Sequence, residues 1–323
     1  MKSKIICTIP VYNGERFILQ TLQSVAKQTL MPDRIIVLDD LSTDSTPEVV
    51  QGFRGVKVEY IRNPANLGLF GNCNRALDFA TETEHLQILH QDDLIEPRFY
   101  EVMARQLEDC AGCGMAWCLD ERIDENGRRL SVSGRPNGRV QVLSMDQFLR
   151  TKAEIGNQAF CATLLKTDCR ETPCRFRTDI PILADAVFWA HWGAHCQKIV
   201  TVNLPLAKYR WHGDNATSSR APNIDSLIVD EWRAMQINEA LRKRNAGFLR
   251  QSKLKGLLAM RSGIKAKRYR QQGNATYARE IVRVARGITG PVIWLMGQVL
   301  VELRDLVVYS LLGRPKHPKN VYS

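Results

Sequence analysis

Four short apolar runs open the chain, and their alternation with helical stretches constrains the fold more than any other feature. Residues 5–9 read Ile-Ile-Cys-Thr-Ile, and residues 34–38, 56–61 and 86–89 are similarly compact, apolar and strand-forming. After the first run, Ile18, Leu22, Val25 and Ala26 recur at helical spacing. After the second, Ser42, Thr43, Asp44 and Ser45 offer N-cap oxygens to a helix over 47–53, and a further helix is expected over 72–81. Strands alternating with helices predict an α/β fold with an open, mainly parallel sheet. Such sheets bind ligands beyond the carboxyl ends of their strands. That rule gathers three polar clusters on one rim: residues 10–15, Asp39-Asp40 and Asp92-Asp93.

The last cluster is the most demanding. Residues 86–89 run directly into His90-Gln91-Asp92-Asp93, and Pro97 suits the first turn of a following helix. Adjacent carboxylates repel unless a cation lies between them, and a divalent ion gripping a diphosphate is the usual solution. By itself, Asp-Asp also reads as a solvated turn; a second acidic pair on the same rim favours a site. The dinucleotide fingerprint G-x-G-x-x-G is absent from the first turn, which argues against NAD or FAD. Downstream, helix is expected over 99–107 and strand over 114–119, 160–165 and 204–209, with 120–138 a charged hairpin or loop. Asp185 opens an aromatic helix, and alone it would also fit a carboxylate placed against the helix dipole. His212, after the last strand, would alone read as a surface residue.

At 323 residues the chain can bury a full core, and its composition is that of a globular protein. No run is long and apolar enough for a bilayer span, and residues 1–8 are too short an apolar run for a signal peptide. Nine scattered cysteines do not suggest a disulfide framework, so a reducing compartment is expected. Cys110 and Cys113 form a C-x-x-C, but no second pair or nearby His completes a zinc set; both are read as buried small side chains. Charge is uneven. Residues 242–286 carry 14 Lys or Arg against the single acid Glu280, whereas 1–241 carry 27 basic and 31 acidic residues within a total of +11. A basic tail of this kind faces something anionic, a membrane surface or nucleic acid, and no nucleic-acid reading motif accompanies it.

These motifs together resemble the family 2 glycosyltransferases, which have the GT-A fold and invert anomeric configuration. Ile9-Pro10-Val11-Tyr12-Asn13 is similar to the family's opening motif, and residues 36–44 to its D-D-G-S-T-D loop. Asn66-Leu67-Gly68 followed by Asn72-Cys73-Asn74-Arg75-Ala76 resembles its N-x-G loop and helix; His90-Gln91-Asp92-Asp93 stands at its D-x-D, and Tyr209-Arg210-Trp211-His212 at its Y-R-x-H. The resemblance implies that Pro10, Tyr12, Glu15 and Asp40 line the base and ribose pocket, with Gly71 and Asn72 nearby. It implies that Asp92 holds the ribose, Asp93 the metal (Mg²⁺ or Mn²⁺), His212 the diphosphate or metal, and Asp185 acts as base. Three positions depart from the pattern: Leu41 replaces Gly, with a differently shaped turn expected; Cys73 replaces Arg; and Ala184 replaces Glu. The Q-x-x-R-W motif of processive synthases is missing, so single-sugar addition is expected.

The expected organisation is a catalytic domain over 1–241, with a nucleotide-sugar half over about 1–120 and an acceptor half over about 121–241, then a basic, amphipathic helical region over 242–323. Within the latter, Leu295, Met296, Val299, Leu303, Leu306, Val307 and Leu311 fall on one helical stripe, opposite Gln298, Glu302, Asp305 and Tyr309. Packing on the body, a homodimer contact and a membrane interface are the alternatives for that stripe. The expected partners are a nucleotide-diphosphate sugar and a glycan or lipid-linked glycan acceptor in cell-surface polysaccharide synthesis. The expected location is cytoplasmic, free or peripheral on the membrane face, with Arg314, Lys316 and Lys319 aiding attachment. Competing readings are a sugar-nucleotide-binding protein without turnover and a nucleotidyltransferase. The latter would carry a Gly-rich basic loop after the first strand, which residues 10–15 are not.

Overall fold

The computed structural model describes residues 5–151, 159–167, 174–213, 224–241 and 248–312. Its sheet is built outward from β1 (Ile5–Val11), a run in which every residue is buried. β2 (Arg34–Asp39) and β4 (His85–Ile88) flank β1 on either side, both parallel to it, and β3 (Glu59–Arg62) extends the sheet beyond β2. The helices between them are short and one-sided. α1 (Ile18–Ala26) buries Ile18, Thr21, Leu22 and Val25, the spacing of one helix face. α2 (Thr46–Gly52) follows β2, with Pro47 in its first turn, and α3 (Gly68–Ala76) follows β3 and continues as a 3₁₀ turn over Leu77–Thr81.

The full order is β3-β2-β1-β4-β9-β6-β10-β5, with β7 on β6 and β8 on β10. The chain moves outward from β1 to β3 and then returns to the other side of β1, so a switch point lies between β1 and β4. Ligands bind at the carboxyl ends of strands at such a point. Beyond β4 the sheet becomes mixed. β9 (Thr163–Lys166) runs antiparallel between β4 and β6 (Cys113–Ile123), and β10 (Lys198–Arg210) is parallel to β6. β5 (Leu94–Ile95) and β8 (Val140–Ser144) pair antiparallel with β10, and β7 (Arg129–Val132) forms a hairpin with β6. α4 (Phe99–Glu108) buries Phe99, Tyr100, Met103, Ala104 and Leu107. α5 (Met145–Thr151) and α6 (Ala184–Ala194) complete this part. The expected α/β sheet is present, mainly parallel and flanked by helices.

Several expectations are corrected. β5, β8 and α5 were not anticipated, because two are very short and β8 is largely exposed. The expected strand over 160–165 begins as a 3₁₀ turn, Phe160–Ala162, before β9. Cys110 and Cys113 are joined in a disulfide that closes the turn from α4 into β6, not held as separate thiols.

The chain forms two compact units, Met1–Arg220 and Ala221–Ser323. The sequence reading placed 221–241 with the front body; helix α7 (Ile224–Leu241) instead puts Ile228 and Met235 into the core of the second unit. That core also contains Leu258, Ala259 and Ala266 of α8 (Phe248–Gln271), Ala278, Ile281 and Ala285 of α9 (Ala275–Thr289), and Trp294 of α10 (Pro291–Leu312). Buried Glu231 of α7 is matched by Arg261 at 2.7 Å and Lys265 at 2.6 Å, both from α8. α10 approaches α8 closely at Gly297, where a Cβ would fall 2.7 Å from the Ala259 Cβ. On α10, Trp294, Gly297 and Val301 are buried, while Leu295, Met296, Val299 and Leu303 of the expected apolar stripe are exposed and do not pack on the bundle. The side chains expected to continue that stripe (Leu306, Val307, Leu311), and Arg314, Lys316 and Lys319, lie outside the described residues.

Candidate active site

The carboxyl end of β2 carries two aspartates with separate duties. Asp39 is fully buried; it accepts from the Ser42 backbone and hydroxyl and from the Tyr60 hydroxyl, and pairs with Arg62 at 3.3 Å. The β2–β3 register, with Asp39 opposite Arg62, sets that pair. Asp40 accepts from Asn63 Nδ2 and from the Leu67 and Gly68 backbone N–H groups, each at 2.8 Å, and so shapes the loop leading into α3. Between these residues and Ser42, Leu41 has φ of 70°, in the left-handed region that favours glycine. The turn thus keeps the conformation a glycine would adopt, contrary to the expectation from Leu41.

The β1–α1 loop is fastened to the β2–α2 loop by side chains. Asn13 donates its backbone N–H to Ser42 Oγ, Gly14 to Thr46 Oγ1 and Glu15 to Asp44 Oδ2. Glu15 Oε2 in return accepts from the Ser45 N–H. Tyr12 donates its N–H to Gln91 Oε1 at 2.7 Å, which ties the β1 rim to the loop after β4, and leaves its ring 48% exposed. A Cβ on Gly14 would sit 2.6 Å from Val11 and 3.0 Å from Gln91, so only glycine fits this crossing.

Asp92 and Asp93 turn in different directions. Asp93 is 1% exposed, and its Oδ1 accepts the Arg210 backbone N–H at 2.9 Å. Burial, with Asp92 beside it, pushes the Asp93 carboxyl well above the usual carboxylate range. Asp92 keeps contact with the rim, and its Oδ2 lies 2.9 Å from His212 Nε2. The Arg210 side chain holds this arrangement: Nε donates to the Asp92 carbonyl at 2.9 Å and a terminal nitrogen to Gln20 Oε1 at 2.8 Å. Its guanidinium also stacks 4.7 Å from the Phe17 ring, which in turn lies 4.8 Å from the His212 ring.

The third element is the start of α6. Asp185 sits in its first turn, half-buried, with Oδ1 accepting from its neighbour Ala186 N–H at 2.7 Å. Desolvation raises its pKa to about 6, against the lowering effect of those backbone bonds. Behind it lies an aromatic cluster: Phe188 stacks on Phe176 at 3.9 Å, and Phe160 contacts Phe176, Trp189 and, at 4.3 Å, His90. The Phe176 backbone is bound in both directions to the Asn74 amide of α3. Cys73 and His90 connect the clusters. The Cys73 thiol lies 3.8 Å from His90 Nε2 and, buried near Asp185 and Asp40, is raised well above the usual thiol range. His90 is held below its ordinary value by burial, against the pull of Asp92. The charges of Asp185 and Asp40 thus act on Cys73, and that of Asp92 on His90.

Residues 7–164 match the model of glycosyl transferase family 2. That segment is a family 2 glycosyltransferase domain. Glycosyltransferase YibD of Escherichia coli K12 is 30% identical over 125 residues, 37% of this chain and 36% of its own. Among solved structures, S. aureus TarS in complex with UDP-GlcNAc superposes with a TM-score of 0.57 at 17% identity, covering 88% of this chain and 92% of that one. Mannosyltransferase PcManGT from Pyrobaculum calidifontis, in complex with GDP-Man and Mn²⁺, gives 0.55 at 16% identity, covering 97% and 84%. These two share the fold. The chain spans 61%, 36% and 29% of the length of the first curated relatives it matches.

Within this glycosyltransferase fold the expected site residues divide. Tyr12, Glu15, Asp92 and Asp185 keep surface or half-buried positions, and His212 is buried against Asp92. Pro10 is buried in β1, and the Asp40 carboxylate is committed to its loop. Asn72 is turned inward, donating to the Leu38 carbonyl at 2.8 Å and accepting from Asn63, while Gly71 lies where a Cβ would meet Leu67 at 2.8 Å. Asp93, expected to hold the metal, is buried with Oδ1 on the Arg210 backbone N–H, whereas Asp92 Oδ2 and His212 Nε2 form a pair 2.9 Å apart. No group of three or more His, Cys, Asp or Glu able to hold an ion occurs among the described residues. An oxygen–nitrogen pair fits Mg²⁺ or Mn²⁺ only where substrate phosphates and water supply the other ligands, which is how Mg²⁺ is usually held. Arg210 and Gln91, which position the site, escaped the sequence reading. Each acts through partners far away in sequence, and only the Y-R-x-H resemblance touched Arg210.

Proposed function

We propose that this protein moves one sugar from a nucleoside-diphosphate sugar to an acceptor hydroxyl with inversion at the anomeric carbon. The observation that carries this reading is the Asp92–His212 pair, 2.9 Å apart beyond the end of β4, in a chain that also places half-buried Asp185, its pKa raised to about 6 by burial, at the start of α6. TarS with UDP-GlcNAc and PcManGT with GDP-Man and Mn²⁺ support a nucleotide-sugar donor and a divalent ion.

In the reaction, Asp185 takes the acceptor hydroxyl proton as the oxygen attacks the anomeric carbon. The bond to the diphosphate breaks on the opposite face, and the nucleoside diphosphate leaves with the electron pair. A carboxylate with a pKa near 6 is mostly ionised at neutral pH yet still basic enough to accept the proton. Tyr12 and the surrounding loops orient the nucleoside, and Arg210 fixes the Asp92–His212 pair. Mg²⁺ or Mn²⁺ held by Asp92 and His212 would neutralise charge on the departing diphosphate. The aromatic cluster keeps water from the Asp185 side. The acceptor is a glycan or lipid-linked glycan of surface polysaccharide synthesis.

A thermal-shift screen of UDP-, GDP- and TDP-sugars with Mn²⁺ tests the reading, since a ligand at a hundred times its Kd adds about 2.7 kcal/mol of stability. One donor class should raise the melting temperature in a Mn²⁺-dependent way. No shift with any donor would remove the proposal.

A further inference from the structure

α10 buries one side in its bundle and presents the other, apolar side to solvent. Trp294, Gly297 and Val301 point inward, whereas Val292, Leu295, Met296, Val299, Leu300 and Leu303 are 52–70% exposed. The remaining exposed large hydrophobics of the described chain are scattered over other elements, but these six lie on one helix face. A contiguous apolar surface of this kind marks an interaction site. It adjoins a row of arginines. Arg279, Arg283 and Arg286 follow each other at i, i+4 and i+7 on α9 and rim a cleft of about 670 Å³ that Gly290 and Pro291 close. Pro291 begins α10, one residue before the stripe. Arg283 also pairs with Glu280 at 2.8 Å, an exposed contact that a stronger anion can displace.

We propose that this face lies on an anionic phospholipid surface, with the α10 stripe at the headgroup–acyl boundary and the three arginines against lipid phosphates. This inference stands apart from the sugar-transfer reading. An apolar stripe beside a basic row is the composition of an interfacial helix. No helix among the described residues is long and apolar enough to cross a membrane, so α10 would lie in the plane of the surface. Charge complementarity selects the occupant: residues 221–323 carry 19 Lys or Arg against seven Asp or Glu. A second copy would bring like charge to the same contact, whereas an anionic leaflet attracts it.

The test is flotation of the full chain with vesicles of phosphatidylcholine, alone or mixed with phosphatidylglycerol. The protein should float with the mixed vesicles and stay behind with the neutral ones. R279Q/R283Q/R286Q should weaken partition on the order of a hundredfold, since each basic residue contributes about fivefold. L295S/V299S should weaken it by more than about tenfold through lost apolar burial. Both variants change exposed positions; if one fails to fold, the other and the comparison of lipids still decide. Equal flotation on both vesicle types, or flotation unchanged in a folded variant, would overturn the proposal. So would a vesicle-free dimer in sedimentation equilibrium that L295S/V299S abolishes, because a second copy would then cover the face.

Discussion

His212 Nε2 and Asp92 Oδ2 meet at 2.9 Å across 120 residues of sequence, while the next residue, Asp93, turns inward to the Arg210 backbone. The two aspartates should therefore respond differently to loss of charge. Asp92→Asn should raise the Mn²⁺ concentration for half-maximal activity by at least about tenfold, the scale on which even groups behind a metal ligand act. Asp93→Asn should leave that concentration within about threefold of wild type, because the Asp93 carboxyl is buried with Oδ1 bound to the Arg210 backbone N–H. Chelator should abolish turnover, with Mn²⁺ or Mg²⁺ restoring it. A metal titration of the two variants checks the assignment; a larger shift in Asp93→Asn would return the ion to Asp93.

Asp185 makes a prediction about stability with a definite sign. Its folded pKa of about 6 exceeds the ordinary 3.8, so the folded protein holds this proton more tightly than the unfolded chain. Stability from this group is complete below about pH 4 and declines as pH rises to 6. Asp185→Asn should therefore stabilise the protein at pH 7.5 by on the order of 1–3 kcal/mol, with the gain vanishing near pH 4. Denaturant melts at the two pH values measure it. A gain of equal size at both would show that the carboxylate is not strained by burial.

Arg210 binds the Asp92 and Glu125 carbonyls and Gln20, and lies over Phe17, so its loss strands several buried groups together. Arg210→Ala should cost about 3–5 kcal/mol in urea unfolding. Arg210→Lys should recover only part of this, since an ammonium cannot reproduce the planar fork. Equal stability of Lys and Arg variants would reduce the contact to simple charge.

Leu41 holds a left-handed backbone at 37% exposure. Asn tolerates that conformation better than Leu, and little packing is lost. Leu41→Asn should stabilise by up to about 1 kcal/mol. A loss instead would mean that the exposed leucine contributes more through contact than its backbone costs.

The sheet was legible because β1, β2 and β4 are compact apolar runs, and their polar ends announce the rim. Helices α1 and α4 were legible for the same reason, through one buried face each. Side-chain direction at the rim was not. Neighbouring Asp92 and Asp93 are chemically identical in the sequence, and only the Arg210 backbone, 117 residues from Asp93, separates their environments. Asp40 and Asn72 read as ligand groups because inward hydrogen bonding to Asn63, Leu67 and Leu38 leaves no periodic signal. On α10 the apolar stripe was legible, but whether it packs inside was not. Its apolar stripe has the stronger pattern, but Gly297 permits a closer approach to Ala259, and the bundle packs there instead. The Cys110–Cys113 bond escaped because an odd, scattered set of cysteines hides one local pair.

The central claim is that Asp185 is the base of a sugar transfer whose leaving group sits beside Asp92 and His212. The direct measurement is nucleoside-diphosphate release from the donor found by thermal shift, with Mn²⁺, by wild type and Asp185→Asn, together with the donor Kd of each. Release should fall at least about a hundredfold in the variant while the Kd stays within about twofold. Release at the wild-type rate by Asp185→Asn would contradict the claim.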